Sequence, residues 1–296
     1  MPVGSGYSTL LSLYRLVSKA RLAQDGTTLA ARPRLAVLGN YTTQQLTWLI
    51  DLFLFGAGIE AQIYEAEYGV LRQEVYNPDS QLYRFQPQMV MLLSGYRDVA
   101  GFPEVGATAE TVGGMARAEL ESWKQLWAML YERLGCQVIQ NTFATPSWDT
   151  LGHLENRVPF SPGSYLRRLN QGMFDEAPSY VALHDMEHLS AVHGKGEWAD
   201  DRFYFDAKLP CAPEYLPVLA HSLSSLVLAI TGKSKKCLVL DLDNALWGGV
   251  IGDDGLGGIV LGQGDPQEGL CRFPALCQAV AGARGYPGGL LQERRG

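Results

Sequence analysis

The sequence predicts an α/β fold in which helices cover a parallel sheet. Short apolar runs rich in Val, Leu and Ile alternate with longer stretches in which apolar residues recur at helical spacing. This alternation is typical of parallel strands joined by right-handed helical crossovers. Several runs end in glycine or polar residues, and ligands of such sheets bind where the strands end. At 296 residues the chain also exceeds the usual size of one domain, which predicts two domains.

The predicted elements follow one another in a regular order. Leucines and a valine within residues 10–17 indicate a helical lead-in, which we assign to residues 1–33. Strands are predicted at residues 35–38, 61–64, 88–93, 136–142 and 180–183. Helices are predicted at residues 44–55, 107–134, 163–171 and 214–231. Together they form a first domain over residues 34–232, and a polar, basic connection at residues 232–236 leads into a second domain over residues 233–296.

Charge and cysteine content narrow the possible functions. The 31 acidic and 24 basic residues give a net charge of −7, which offers no general attraction for nucleic acid or for an anionic membrane. No apolar stretch reaches the roughly 20 residues that a membrane span needs, and the N-terminus lacks a signal-peptide pattern. We therefore expect a cytoplasmic protein. Five scattered cysteines indicate neither a disulfide framework nor a structural zinc site.

Two carboxylates follow a predicted strand at the start of the second domain. Asp241 and Asp243 end the apolar run at residues 237–240, and the turn-forming residues after them allow both side chains to face one site. One carboxylate could attack a phosphorus atom while the other passes a proton to the leaving oxygen. A hard cation such as Mg²⁺, bound by the same two aspartates, would offset the negative charge. The pattern predicts a phosphoryl-transfer site.

Residues 238–262 resemble the first motif of haloacid-dehalogenase phosphatases, and most closely that of their FkbH-like branch, although Ala245 replaces the threonine of that pattern. The resemblance implies a Mg²⁺-dependent phosphatase or glyceryl transferase that acts on phosphorylated acyl substrates, with an acyl carrier protein, in polyketide or nonribosomal-peptide biosynthesis. It assigns Asp241 as nucleophile or metal ligand and Asp243 as acid and base. Residues 285–296 contain proline and paired glycines where the family has a strand ending in Ser-Lys, so we expect an incomplete, impaired haloacid-dehalogenase-like (Rossmannoid) domain.

The first domain resembles the SGNH-hydrolase-like domain that precedes the phosphatase domain in long FkbH-like proteins, which implies a flavodoxin-like parallel sheet. The resemblance is carried by residues 39–43, 64–69, 77–80 and 91–98. The reactive positions differ from those of SGNH esterases: Asn40 stands at the aspartate, Tyr41 at the serine and Arg97 at the asparagine of the motifs, and Lys208 lies near the expected histidine.

We treat Asn40, Thr42, Arg97 and Lys208 as ligand-binding candidates; helix capping, turn formation and surface charge would explain the same residues equally well. Asp185 and His188 spell the Asp-x-x-His of an esterase, but a match of this length arises easily by chance.

Three functions stay open: the FkbH-like phosphatase or transferase, an SGNH-type esterase or acyltransferase, and a non-catalytic module that binds a carrier protein or a phosphorylated small molecule.

Overall fold

The computed structural model describes residues 6–23, 32–233, 250, 252, 253 and 255. The chain divides into two compact units, residues 1–226 and 227–296. The predicted domain boundary at residues 232 and 233 stays a prediction. The sequence also predicts a helix at residues 267–284. This helix, the strand expected at residues 237–240, and both Asp241 and Asp243 lie outside the described residues.

The first unit is built on a five-stranded parallel sheet, which confirms the predicted fold class. The strands are β1 (Arg34–Gly39), β2 (Gln62–Glu65), β3 (Met89–Leu93), β4 (Gln137–Asn141) and β5 (Val181–His184). Their spatial order is β2-β1-β3-β4-β5, and every neighbouring pair is parallel. All five residues of β3 are buried, as expected for a central strand covered on both faces. The predictions of these five strands are confirmed, with ends displaced by at most one residue.

The helices differ in how far the sequence predicted them. They are α1 (Tyr7–Ala23), α2 (Gln44–Gly56), α3 (Leu71–Tyr76), α4 (Gln81–Phe85), α5 (Ala109–Leu134), α6 (Pro162–Glu176), α7 (Met186–His193), α8 (Lys195–Trp198), α9 (Asp201–Ala207) and α10 (Leu216–Ile230). The five long helices α1, α2, α5, α6 and α10 were predicted. The five short ones were missed, because one or two turns carry too little periodicity to be detected.

The longest helix, α5, shows how sequence and packing agree. The Thr108 side chain caps its first turn by accepting from the Thr111 amide, and Gly135 ends it in the left-handed conformation at φ 61°. Its buried face carries Trp123 and Trp127, which lie in the hydrophobic core that covers one side of the sheet. Replacing either tryptophan by alanine would cost about 3–5 kcal/mol of stability.

One apolar helical segment, Pro213–Ile230, has the length and hydropathy of a membrane span. Its residues Leu216, Leu219 and Leu223 are fully buried inside the protein. Core helices meet the same criterion of length and composition, so the segment is weak evidence for a membrane.

Candidate functional site

The strand order places a binding cleft at the point where the chain changes direction across the sheet. From β1 the chain moves outward to β2, then returns past β1 to β3 and continues in the opposite direction. Loops that leave neighbouring strands in opposite directions open a crevice at their carboxyl ends. A cleft lies there, lined by residues 40–41 after β1, 94–98 after β3, 144–148 after β4 and parts of the 186–211 segment after β5. Its empty volume is about 840 Å³, a figure that includes solvent at the mouth.

The turn after β1 is held tightly against β3. The Asn40 amide donates to the Leu93 carbonyl at 3.1 Å. A Cβ atom at Gly39 would lie 2.5 Å from Thr43 Cγ2 and 3.2 Å from the Tyr41 carbonyl oxygen. The first distance is too short for a real contact and the second is tight, so a side chain at this position would force Thr43 or the turn to shift.

Asp98 is one of three aspartates that line the cleft among the described residues, together with Asp200 and Asp201. Its Oδ2 accepts from the Gly95 amide at 2.6 Å, and the Asn40 side chain also donates to it. Burial raises the pKa of Asp98 to about 6, and the hydrogen bonds from Gly95 and Asn40 oppose that rise. Asn40, a predicted ligand-binding residue, therefore lines the cleft and is hydrogen-bonded to the Asp98 carboxylate.

Tyr41 is the residue that the motif resemblance aligns with the esterase serine. The residue is 4% exposed, and its hydroxyl has no hydrogen-bond partner among the described residues. Burial, together with the nearby Cys211 thiol and Asp98 carboxyl, raises its pKa well above the ordinary value. The hydroxyl is therefore neutral. No histidine stands among the described residues that line the cleft, so the serine-histidine chemistry of an esterase is missing from this set.

Arg97 lines the cleft, but its charge is already paired. Its Nη2 lies 2.8 Å from Asp201 Oδ1, and its guanidinium stacks 3.9 Å from the centre of the Tyr204 ring. Lys195, the other cation of the lining, lies 2.6 Å from Glu187 Oε2. Each cation therefore has a carboxylate partner within the fold.

Thr42 and Lys208 lie together beside the cleft and are not among the described residues that line it. The Thr42 hydroxyl donates to the Ala207 carbonyl at 2.7 Å, and the Thr42 amide donates to the Lys208 carbonyl at 2.8 Å. Lys208 adopts the left-handed conformation, φ 55°, that ends α9. Thr42 and Lys208 therefore connect the turn after β1 to the end of α9. Turn formation and helix termination explain both residues without a ligand.

Asp185 and His188 form a helix cap. Asp185 Oδ1 accepts from the His188 amide at 2.9 Å at the start of α7, and the His188 side chain is exposed. This arrangement is an N-cap, in which a carboxylate satisfies an amide of the first helical turn. It gives the Asp-x-x-His match a structural explanation.

Comparison with known families identifies the chain. Residues 34–228, about two thirds of the sequence, match the family described as FkbH, N-terminal domain. The chain belongs to the FkbH family. None of the curated protein sequences is significantly similar to it.

Three solved structures are similar to this FkbH-family chain to different degrees. The N-terminal part of the protein BF1531 from Bacteroides fragilis, containing a phosphatase domain and complexed with Mg, is similar with a TM-score of 0.77 at 22% identity, over 97% of this chain and 72% of that one. The lipase Lip_vut3 from goat rumen metagenome gives a TM-score of 0.48 at 8% identity, over 65% and 96% of the two chains. A GDSL-like lipase from Parabacteroides merdae gives 0.40 at 14% identity, over 69% and 98%. At 22% identity, the similarity to the BF1531 structure supports the fold of this chain and nothing further.

Sequence reasoning missed part of this FkbH-family cleft. Trp198 and Lys195 line it from α8, and Asp201 lines it from α9. Both helices were missed, and within this segment only Lys208 was assigned to the site. Asp200, which caps α9 by accepting from the Arg202 amide, was the one available sequence signal.

Proposed function

We propose that this FkbH-family chain takes part in phosphoryl transfer on phosphorylated acyl substrates that are linked to a carrier protein. The observation that carries the proposal is the family match over residues 34–228, followed in the same chain by the Asp241 and Asp243 pair. The similar BF1531 structure, whose chain contains a phosphatase domain, supports it.

In the proposed reaction, an Asp241 oxygen forms a bond to phosphorus as the bond from phosphorus to the substrate oxygen breaks. Asp243 gives its proton to the departing oxygen, and a water molecule then releases phosphate from Asp241. Two carboxylates are ligands suited to Mg²⁺, and that ion, when bound, would offset the negative charge of the phosphate. The BF1531 structure was complexed with Mg, which agrees with this expectation.

The proposal is tested by hydrolysis of 4-nitrophenyl phosphate by the full chain, with and without Mg²⁺. Asp241→Asn should abolish turnover because it removes the nucleophile. Asp253→Asn, which changes an acid in the following glycine-rich turn, is the matched control and should retain turnover. Turnover that survives in Asp241→Asn would contradict the proposed role of Asp241. Absence of turnover from a folded sample of the unaltered chain would contradict phosphoryl transfer by this chain and would agree with an impaired domain.

The cleft of the first unit favours a second candidate function, which is binding of a small molecule without ester hydrolysis. The observation is the buried, neutral Tyr41 at the position where an esterase has its serine. A carrier-bound acyl group is one source of such a ligand. A serine-directed fluorophosphonate should leave the chain unlabelled under conditions that label a GDSL lipase control. Covalent labelling within the first unit would instead support the esterase alternative.

A further inference from the structure

The short helix α9 lines the cleft without being packed into the core. None of its seven residues is buried, and Phe205 is 64% exposed. Asp201 and Tyr204 line the cleft from this helix. Helices shorter than about 12 residues are not stable alone in water. The position of α9 therefore depends on the contacts at its two ends and on those with the loop after β3.

Both ends of α9 are fixed to the rest of the unit. Before the helix, Trp198 is 2% exposed. After the helix, Thr42 donates hydrogen bonds to the Ala207 and Lys208 carbonyls at 2.7 and 2.8 Å. The backbone is extended at residues 199–200 and left-handed at Lys208. Such positions at the ends of elements are where hinged segments change their backbone angles.

Arg97 connects α9 to the loop after β3. Its Nη2 lies 2.8 Å from Asp201 Oδ1, and its guanidinium lies 3.9 Å from the centre of the Tyr204 ring. The same guanidinium lies 4.6 Å from the ring centre of Tyr96, whose hydroxyl is hydrogen-bonded to the Trp148 side chain. These contacts join α9 to the loops after β3 and β4, which line the cleft with it.

The contacts made by Arg97 are weak enough to break without unfolding the unit. The side chains of Arg97 and Asp201 are 30% and 58% exposed. An ion pair or a cation–π contact at an exposed site changes an equilibrium by up to about fivefold. Contacts of this strength favour one position of a helix without locking it there.

From these contacts we propose that α9 is a lid that opens and closes the cleft. Residues 199–200 and Lys208 are its hinges. Arg97 is its latch, which holds α9 through Asp201 and Tyr204. The proposal rests on the binding role given above to the first unit and adds the device that regulates access to it. Opening requires no ligand, so the lid can be tested in the chain alone.

Hydrogen–deuterium exchange of the full chain, followed by mass spectrometry, measures the opening of α9. Arg97→Gln removes the charge of the latch, so the amides of residues 201–208 should exchange about threefold to thirtyfold faster. Exchange in β3 and α5 should stay unchanged, which shows that the variant is folded. Arg21→Gln is the matched control, because Arg21 lies 2.7 Å from Asp51 and 4.2 Å from the Phe55 ring centre, away from the cleft lining. It should leave exchange in α9 unchanged.

Two buried thiols show whether this motion opens the cleft. Cys211 lines the cleft and is 3% exposed, whereas Cys136 is 1% exposed and belongs to the hydrophobic core. Burial raises the pKa of both thiols, so alkylation by iodoacetamide requires an opening of the structure. Arg97→Gln should speed alkylation of Cys211 by the same factor as exchange in α9, and it should leave Cys136 unchanged.

A double-mutant cycle and salt separate the latch from a general loosening of the helix. The effect of Asp201→Asn on exchange should be smaller in the Arg97→Gln background, since both substitutions break the same ion pair. Raising the salt concentration from about 0.1 M to about 1 M shortens the Debye length from about 10 Å to about 3 Å. Exchange in α9 should therefore become faster in the native chain and stay unchanged in the double variant.

Unchanged exchange of α9 in Arg97→Gln, or equal effects of Asp201→Asn with and without Arg97, would overturn the latch. Faster exchange of α9 without faster alkylation of Cys211 would overturn the lid, because the helix would then loosen without opening the cleft. Neither measurement involves a ligand, so a failure of the lid is distinguishable from a failure of the binding role.

Discussion

Removing the Tyr41 hydroxyl should stabilise the first unit, whereas removing the Tyr83 hydroxyl should destabilise it. Both residues are buried, with 4% and 8% exposure, and Tyr→Phe deletes the same single oxygen atom from each. The two substitutions therefore differ chiefly in the hydrogen bonds that the deleted atom makes. Their comparison tests directly whether the Tyr41 hydroxyl lacks a partner.

The expected magnitudes follow from those contacts. The Tyr83 hydroxyl donates to the Val75 carbonyl at 2.6 Å and accepts from Arg133 Nη1 at 3.2 Å. Losing these bonds should lower the free energy of unfolding by about 1–2 kcal/mol. The Tyr41 hydroxyl has no such bond within the described residues, so its deletion should recover part of the desolvation cost of a buried hydroxyl and raise the free energy of unfolding by about 1 kcal/mol.

Urea unfolding followed by tryptophan fluorescence measures both changes. The midpoint should rise for Tyr41→Phe and fall for Tyr83→Phe with the slope m unchanged, since neither variant alters the surface exposed on unfolding. Thermal midpoints should move in the same directions, by about 2–4 °C per kcal/mol. If Tyr41→Phe lowers stability as much as Tyr83→Phe does, the hydroxyl has a partner in the folded chain and the argument for an unpaired donor fails.

Three further predictions concern the same cleft. Because burial raises the pKa of Asp98 from 3.8 to about 6, the folded state binds its proton more tightly, and the contribution of this group to stability is lost as pH rises from 3.8 through 6. The stability of Asp98→Asn relative to the native chain should therefore increase by up to about 3 kcal/mol between pH 3.5 and pH 7, measured by urea unfolding at several pH values; a pH-independent difference would contradict this. Gly39→Ala should lower the thermal midpoint by an amount equivalent to about 1–3 kcal/mol, because the new Cβ would meet Thr43 Cγ2. Thr43 cannot move away easily, since its hydroxyl is held by a 2.6 Å bond to Glu65. An unchanged midpoint would show that the turn can relax. Thr42→Val, which keeps the shape but loses the bond to Ala207, should lower the free energy of unfolding by about 1 kcal/mol in urea; an unchanged value would show that this bond does not stabilise the turn.

The sheet could be predicted because its signals are local. The run Met-Val-Met-Leu-Leu of β3 is apolar throughout, as a strand buried on both faces must be. The long helix α5 carries a capping threonine, a terminal glycine and a continuous apolar face. The short helices α7, α8 and α9 have four to eight residues and no repeating pattern, so their structure depends on contacts with the rest of the unit. That dependence explains why one wall of the cleft was missed.

The chemistry of the site was harder to predict because a sequence shows a charge and not its partner. Arg97 suggested an anion site, yet Asp201, 104 positions further on, pairs with it. Thr42 suggested a ligand contact, yet its hydroxyl is bonded to Ala207, 165 positions away. Asp98 stood in the same motif as Arg97, but its raised pKa arises from burial, which only the fold reveals. In each case the deciding interaction is distant in sequence.

Side-chain hydrogen bonds fix the backbone that lines the cleft at the end of β3. Asn141 Oδ1 accepts from the Ser94 amide at 2.8 Å, and its Nδ2 donates to the Ser94 carbonyl at 2.6 Å. This pair fixes the backbone at the end of β3, and Asp98 and Asn40 fix the turn beside it. A preorganised polar frame lowers the entropic cost of ordering a ligand whether or not a reaction follows. Within that frame Tyr41 is a neutral phenol, and no histidine among the described lining residues could activate it as a nucleophile. The frame and the phenol together therefore favour binding of a ligand in this cleft over its hydrolysis there.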